Sequence, residues 1–355
     1  MKHRPYSASK QTDEGQFAVL HTPICDYFGI KYPIFLAGMG GVAMHKLVAA
    51  VSNAGGLGIL GAASLTPDQL RVEIRRTKEL TSKPFAVDML APIPEMIRPH
   101  IPVLLEENIK IFVAGLAVPA EFIKTMHDHG MKVMVMCGRV RHGIKSQEAG
   151  ADVVVAQGTE AGGHTGEIGT LALVPQMLDA VRLPVLAAGG IADGRQIAAA
   201  LTLGAQGVVI GTRFIATHEA QAAPVYREMI LKAREDSTLR TRAYTGKTCR
   251  VIRTDYAMEW EREPAKIKPF PEQANISTRN GVMNYTGLRG DFDPQRGFMP
   301  AGQGAGLINE LKPASEVFAD LLREAQAALK RAQPLLNDDQ REPFSAAQRN
   351  LSSQS

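Results

Sequence analysis

At 355 residues the chain is long enough for one large α/β domain with an appendage, or for two domains. Its 40 basic and 36 acidic residues leave a net charge of +4 with no basic stripe, which argues against a nucleic-acid partner. Three cysteines, Cys25, Cys137 and Cys249, share no paired spacing and no CxxC, which excludes a disulfide framework or a zinc site and points to a reducing, cytoplasmic setting. No apolar run reaches the roughly 18 residues that span a bilayer, so no membrane partner is expected.

Residues 1–20 read as a flexible polar leader and 336–355 as a flexible tail. Between them, short Val- and Ile-rich runs alternate with amphipathic stretches at a rhythm of roughly thirty residues. The expected strands are 33–37, 57–60, 84–90, 109–114, 132–136, 153–156, 184–188 and 207–210. The expected helices are 44–53, 67–80, 94–107 (weakened by Pro99 and Pro102), 119–129, 141–149, 171–181 and 194–203, with an eighth beginning near Glu219. Eight such units in order predict the α/β class, a (β/α)8 TIM barrel over 21–234. The rhythm then breaks. Residues 235–310, with Trp260, Tyr244, Tyr256 and Tyr285, are expected to cap the barrel mouth, and an amphipathic C-terminal helix within 311–335 to pack back on the wall.

The last three strands end in unusual loops, QGTEAGGH, AGGIADG and GTRF. Glycines there let main-chain N–H groups approach an anion without a Cβ in the way, and barrels commonly hold phosphate after strands seven and eight. His164 lies among the glycines of the first loop, where an imidazole can exchange a proton near neutral pH. Gln157 and Asp88 end their strands at the same rim, either to hydrogen-bond a heterocycle or to cap the following loops. A dinucleotide fold is disfavoured: Gly38-Met-Gly40-Gly-Val-Ala43 opens a helix, but the second strand ends in Gly61-Ala-Ala-Ser, with no acidic residue for a ribose. Cys137 reads as core, and His127, His129 and His142 as surface residues; no metal is predicted.

With these residues assembled, the chain resembles the nitronate monooxygenase family, formerly called 2-nitropropane dioxygenases, which are FMN-dependent (β/α)8 barrels. The resemblance rests on TPICDYFGIKYPIFLAGMGG, AAVSNAGGLGILGA, VVVAQGTEAGGHTGE, PVLAAGGIADGRQIAAALTLGAQGV, GTRF and GQGAGLI. It implies that Ala37, Gly38 and Met39 line the isoalloxazine, that Gln157 and Asp88 bind the ring or ribityl chain, and that Gly162 and Gly163 approach the cofactor by backbone. It implies further that Gly189, Gly190, Gly211 and Thr212 hold the phosphate and that His164 is the catalytic residue. Substrates would be a nitronate or nitroalkane and O2, and a homodimer is possible within the family. Two positions depart from the family pattern, which usually has Ala-Pro-Met at 37–39 and Asn at 88. A carboxylate beside the flavin would disfavour the anionic reduced ring, unless it is protonated or turned away. The related FMN-dependent enoyl-acyl carrier protein reductases and NAD(P)H:quinone reductases share the glycine loops, so NAD(P)H reduction is the competing expectation. A barrel that binds FMN without turnover is the third.

Overall fold

Runs of β-branched residues without polar alternation are stable as strands only where both faces are covered, and here they form the staves of a ring. In the computed structural model, which describes residues 20–91, 94–284 and 292–336, these strands are β1 (Ile34–Leu36), β2 (Gly58–Gly61), β3 (Phe85–Leu90), β4 (Ile111–Gly115), β5 (Lys132–Cys137), β6 (Val153–Gln157), β8 (Val185–Ala188) and β9 (Gly207–Ile210). A two-residue strand, β7 (Gly163–His164), lies between β6 and β8 and belongs to a different sheet. The ring runs β1-β9-β8-β6-β5-β4-β3-β2 with every pairing parallel. It closes where Phe35 bridges Leu57, with Leu36 N donating to Leu57 O at 2.9 Å and Leu57 N to Ile34 O at 3.0 Å. The expected (β/α)8 barrel is thus the fold.

Period-two alternation divides each strand between two cores. Ile59, Val113, Val155 and Leu186 fill the barrel, where they join Phe28 and Ile24 of α1 (Pro23–Phe28). Their neighbours Leu60, Phe112, Val154 and Ala187 face the helical wall. That wall contains α2 (His45–Asn53), α3 (Pro67–Leu80), α4 (Pro94–Ile97), α5 (Ile101–Glu106), α6 (Ala120–Asp128), α7 (Val140–Glu148), α8 (Thr170–Ala180) and α9 (Gly194–Thr202). The single helix expected over 94–107 is divided into α4 and α5 by a 3-10 turn at Arg98–His100. Pro99 and Pro102 supply no N–H to carry an unbroken ladder there. Capping boxes at Thr66/Gln69 and Asp193/Gln196 fix the starts of α3 and α9.

The eighth unit differs from expectation. After β9 the chain forms a four-residue helix, α10 (Thr212–Ile215), and the helix expected near Glu219 begins at Pro224 as α11 (Pro224–Leu231). The wall position between α2 and α9 is taken instead by the amphipathic α14 (Ala314–Ala332). Phe318 of α14, fully buried, seats on Gly56, where a Cβ would lie 2.6 Å from its ring. Glu324 accepts a hydrogen bond from Gly194 N at 2.9 Å, and a Cβ on Gly194 would stand 2.2 Å from Ala325 N.

The chain between α11 and α14 builds the cap. Strands β10 (Thr238–Thr241) and β11 (Cys249–Ile252) form an antiparallel pair, and β11 also pairs with β7, so the glycine loop after β6 is drawn into the cap's sheet. Helices α12 (Asp255–Glu261) and α13 (Glu272–Arg279) complete it. Tyr244 and Tyr256 stack at 5.1 Å within the cap's own core, Tyr244 Oη on Thr254 Oγ1 at 2.6 Å and Tyr256 Oη on Ser277 Oγ at 3.0 Å. Their rings pack the cap together; Tyr285 lies outside the described residues. Cys25, Cys137 and Cys249 are buried free thiols, with Cys137 pushed up to about 11 chiefly by burial. Among the described residues no helix is long and apolar enough to cross a membrane.

Candidate active site

In a (β/α)8 barrel the carboxyl ends of the strands open onto one face, and the loops that follow them carry the chemistry. Each residue singled out in the sequence lies on that rim: Ala37, Gly38 and Met39 after β1, Asp88 in β3, Gln157 at the end of β6, Gly162 beside β7, Gly163 and His164 within it, Gly189 and Gly190 after β8, Gly211 and Thr212 after β9. Several meet directly. A Cβ on Gly211 would stand 3.4 Å from Ala37 Cβ and 3.5 Å from Met39 Sδ, and one on Gly38 only 2.2 Å from Asp88 Cβ. Gln157 Nε2 donates to the His164 carbonyl at 3.0 Å, so one of its amide protons braces the histidine loop.

The turn after β8 requires glycine twice. Gly189 has φ +110° and Gly190 φ +72°, and a Cβ on either would come within about 3 Å of Thr170 Oγ1 or Glu160 Cβ. Among the described residues the N–H groups of Gly189, Gly190 and Gly211 have no hydrogen-bond partner, leaving three amides at adjacent strand ends. The start of α9, by contrast, is already satisfied: Asp193 accepts from Arg195 N and Gln196 N, and Gln196 Oε1 from Ala192 N at 2.7 Å. The anion-binding potential therefore resides in the glycine turn itself. The GQGAGLI segment backs it, with Gly302 N donating to Thr212 Oγ1 at 3.0 Å, while a Cβ on Gly304 would lie 2.6 Å from Gly190 O.

His164 is positioned by the cap. Its Nε2 lies 3.0 Å from Thr245 Oγ1, and that hydroxyl donates to Lys247 O at 3.0 Å. A hydroxyl has one proton to give. With that proton on Lys247 O, Nε2 carries the ring hydrogen and Nδ1 holds the lone pair. Burial, reinforced by the Lys247 charge, lowers the His164 pKa to about 4, so the ring is neutral at pH 7.

Asp88 is the opposite case. Its side chain is 8% exposed, and Oδ1 has no hydrogen-bond partner among the described residues. Burial alone pushes its pKa up to about 8.

Four supporting groups were not singled out in the sequence. Glu160 accepts from Thr170 N and Oγ1, each at 2.9 Å, and so caps α8 beside the glycine turn. Arg250 Nε donates to Thr159 O at 2.9 Å and Arg240 Nη1 to Thr159 Oγ1 at 3.2 Å, clamping cap to loop. Thr245 orients His164. Glu160 stands in the quoted QGTEAGGH motif, which was the available signal; the other three lie in a segment without periodicity. His127 and His129 sit at the outer wall, His127 Nε2 on Asp152 at 2.8 Å, and among the described residues no group of three ligating side chains could hold a metal.

A closed (β/α)8 barrel that carries at the carboxyl ends of its strands main-chain amides unpartnered among the described residues, a neutral imidazole and a buried carboxyl has the frame of a (β/α)8 active site. The model of the nitronate monooxygenase family matches residues 21–100 and 96–324, and the chain belongs to that family of oxidoreductases. It is 41% identical over 240 residues to a (3aS,4S,5R,7aS)-5-hydroxy-7a-methyl-1-oxo-octahydro-1H-indene-4-carboxyl-CoA dehydrogenase of Rhodococcus jostii, covering 67% of each chain. Among solved structures, FabK from Thermotoga maritima superposes with a TM-score of 0.81 at 36% identity, covering 89% of this chain and 99% of that one. Nitroalkane oxidase from Streptomyces ansochromogenes does so with a TM-score of 0.79 at 30% identity, covering 87% and 99%.

Proposed function

We propose that this chain is an FMN-dependent oxidoreductase that oxidises alkyl nitronates, or the nitroalkanes from which they arise, with O2 as electron acceptor. The observation that supports the reading is the placing, at the carboxyl ends of the strands, of glycine amides unpartnered among the described residues and of His164, whose ring is neutral at pH 7. When bound, FMN supplies the electron relay between substrate and oxygen. The residues present fit it: Gly189, Gly190, Gly211 and Thr212 would hold the phosphate, and Ala37, Gly38 and Met39 would line the ring. Asp88 and Gln157 would hydrogen-bond the ring or ribityl chain, with Gly162 and Gly163 approaching by backbone. The unpartnered Asp88 Oδ1 is an atom that a polar ring edge would satisfy.

His164 then has two tasks. Facing a neutral nitroalkane, Nδ1 accepts the proton from the carbon beside the nitro group, and the C–H electron pair becomes the nitronate. Facing a nitronate that arrives already ionised, the anion raises the ring's proton affinity, and Nδ1, once it has taken a proton from solvent, donates to a negative oxygen of the substrate.

A second reading, an FMN-dependent NAD(P)H oxidoreductase acting as an enoyl or quinone reductase, is favoured by one observation: identity is higher to FabK, at 36%, than to the nitroalkane oxidase, at 30%. Anaerobic absorbance titration separates the two. Loss of oxidised-flavin absorbance with ethylnitronate or propionate-3-nitronate, but not with NADPH or NADH, supports nitronate oxidation. Bleaching by the nicotinamide alone replaces it with the reductase, and a protein that takes up no FMN overturns both. Unchanged turnover in His164→Ala with FMN still bound would leave a barrel whose histidine has no catalytic part.

A further inference from the structure

Gly38 and Asp88 lie against each other at the mouth of the barrel. A Cβ on Gly38 would stand 2.2 Å from Asp88 Cβ and 2.4 Å from Oδ2, so the absence of a side chain at 38 is what gives the carboxyl its room. The elements around Asp88 bring it no charge. The β1 loop presents Gly38, the end of β2 presents Ala62, whose N–H donates to Asp88 O at 2.8 Å, and β4 presents Gly115, where a Cβ would lie 3.8 Å from Oδ1. Among the described residues no cation or other titratable side chain acts on the carboxyl, and burial alone moves its proton affinity upward. A carboxylate in this place would be an unpaired buried charge, which proteins avoid by keeping the group protonated.

We propose that Asp88 serves as a proton-bearing cofactor ligand: a neutral carboxylic acid, admitted by Gly38, that donates its hydrogen to an acceptor atom of FMN in the barrel mouth. This rests on the FMN reading above. An acid can donate where a carboxylate can only accept, so loss of the proton to solvent removes the bond and leaves a buried negative charge beside the ligand.

The sign and size follow from linkage. In the free protein Asp88 loses its proton near pH 8. Above that pH, binding must first restore the proton, and the FMN dissociation constant rises about tenfold per pH unit. Asp88→Asn keeps a donor in the same place and does not titrate. The experiment measures FMN binding to the apoprotein by flavin fluorescence at pH 7, 8, 9 and 9.5 for both proteins. The pH effects of the flavin's own groups are common to both and cancel in the ratio of dissociation constants. That ratio, native over variant, is expected to change little up to pH 7, to about double by pH 8 and to climb about fivefold more from pH 8 to 9. A flat ratio across the range overturns the proposal and leaves the FMN reading standing. If the variant does not fold, calorimetry of FMN binding to the native protein at pH 9, in two buffers of different ionisation enthalpy, counts the proton directly. Uptake of close to one proton supports the proposal, and uptake of none overturns it. Failure to bind FMN at pH 7 overturns both the proposal and the reading beneath it.

Discussion

Gly194→Ala is a substitution whose sign the structure reverses. Gly194 opens α9 with ordinary negative φ, and replacing glycine by alanine at a compatible position usually stabilises by about 0.4–1 kcal/mol, because the unfolded chain loses freedom. Here the new Cβ would lie 2.2 Å from Ala325 N and 2.4 Å from Glu324 Cβ. One of these atoms belongs to the α14 backbone and cannot swing aside, so the two helices must part. Overpacking of this kind costs about 1–3 kcal/mol, and the hydrogen bond from Gly194 N to Glu324 adds about 1 kcal/mol if it breaks. The net expectation is destabilisation by about 1–3 kcal/mol. Gly143→Ala in α7 is the control: its Cβ would meet the Met177 thioether at 2.2 Å, a flexible end that can rotate away, and stability should change little or rise. Urea unfolding of the three proteins followed by circular dichroism decides the matter. A Gly194→Ala protein as stable as the native one would show that α14 does not seat against α9 as described.

His164→Ala should retain FMN while turnover of nitronate falls by about 10²–10⁴, the usual worth of a positioned general base, read from oxygen consumption under saturating substrate. Gly190→Ala combines a strained φ of +72° with a Cβ 3.0 Å from that of Glu160, and should weaken FMN binding by more than about tenfold; equal affinity would remove the β8 turn from the phosphate site. In the apoprotein, Asp88 holds its proton when folded and sheds it when unfolded between pH 4 and 8, so its contribution to stability is complete below the unfolded value of 3.8 and falls as pH rises. Asp88→Asn should therefore gain on the native protein by about 1.4 kcal/mol per pH unit across that window, and parallel stability curves would refute the buried acid. His164 acts in the other direction: its lowered pKa makes stability fall as pH drops from 6.5 toward 4, which masks Asp88 in the native protein and makes the comparison with the variant necessary.

The barrel was legible because its strands are fully buried. Runs such as 153–156 and 207–210 have no other stable use than a stave covered on both sides, and their spacing gave the eightfold count. The eighth wall helix was misplaced for an equally physical reason. Residues near 219–231 and 314–332 both carry helical periodicity, and periodicity describes a face without naming what the face packs against. The glycine turns announced themselves because positive φ and close approach restrict the residue type. Thr245 and Lys247 did not, since they reach His164 only through the pairing of β11 with β7, an antiparallel contact spanning more than eighty residues that leaves no local mark. A protonated Asp88 was legible only as one of two alternatives, the other being a carboxylate turned away. The choice between them depends on what the neighbouring strands fail to bring, and no motif records an absence.

The late position of α14 in the chain makes the barrel a vessel with a seam. Until Ala314–Ala332 emerges from the ribosome, α2 and α9 border an unfilled slot whose apolar walls face water. A fragment ending before α14 should therefore associate with itself, visible as early-eluting species in size-exclusion chromatography, and an added α14 peptide should reduce that association. The same slot offers a way for two complete chains to exchange helices, each closing the other's seam with a stave that is identical to its own.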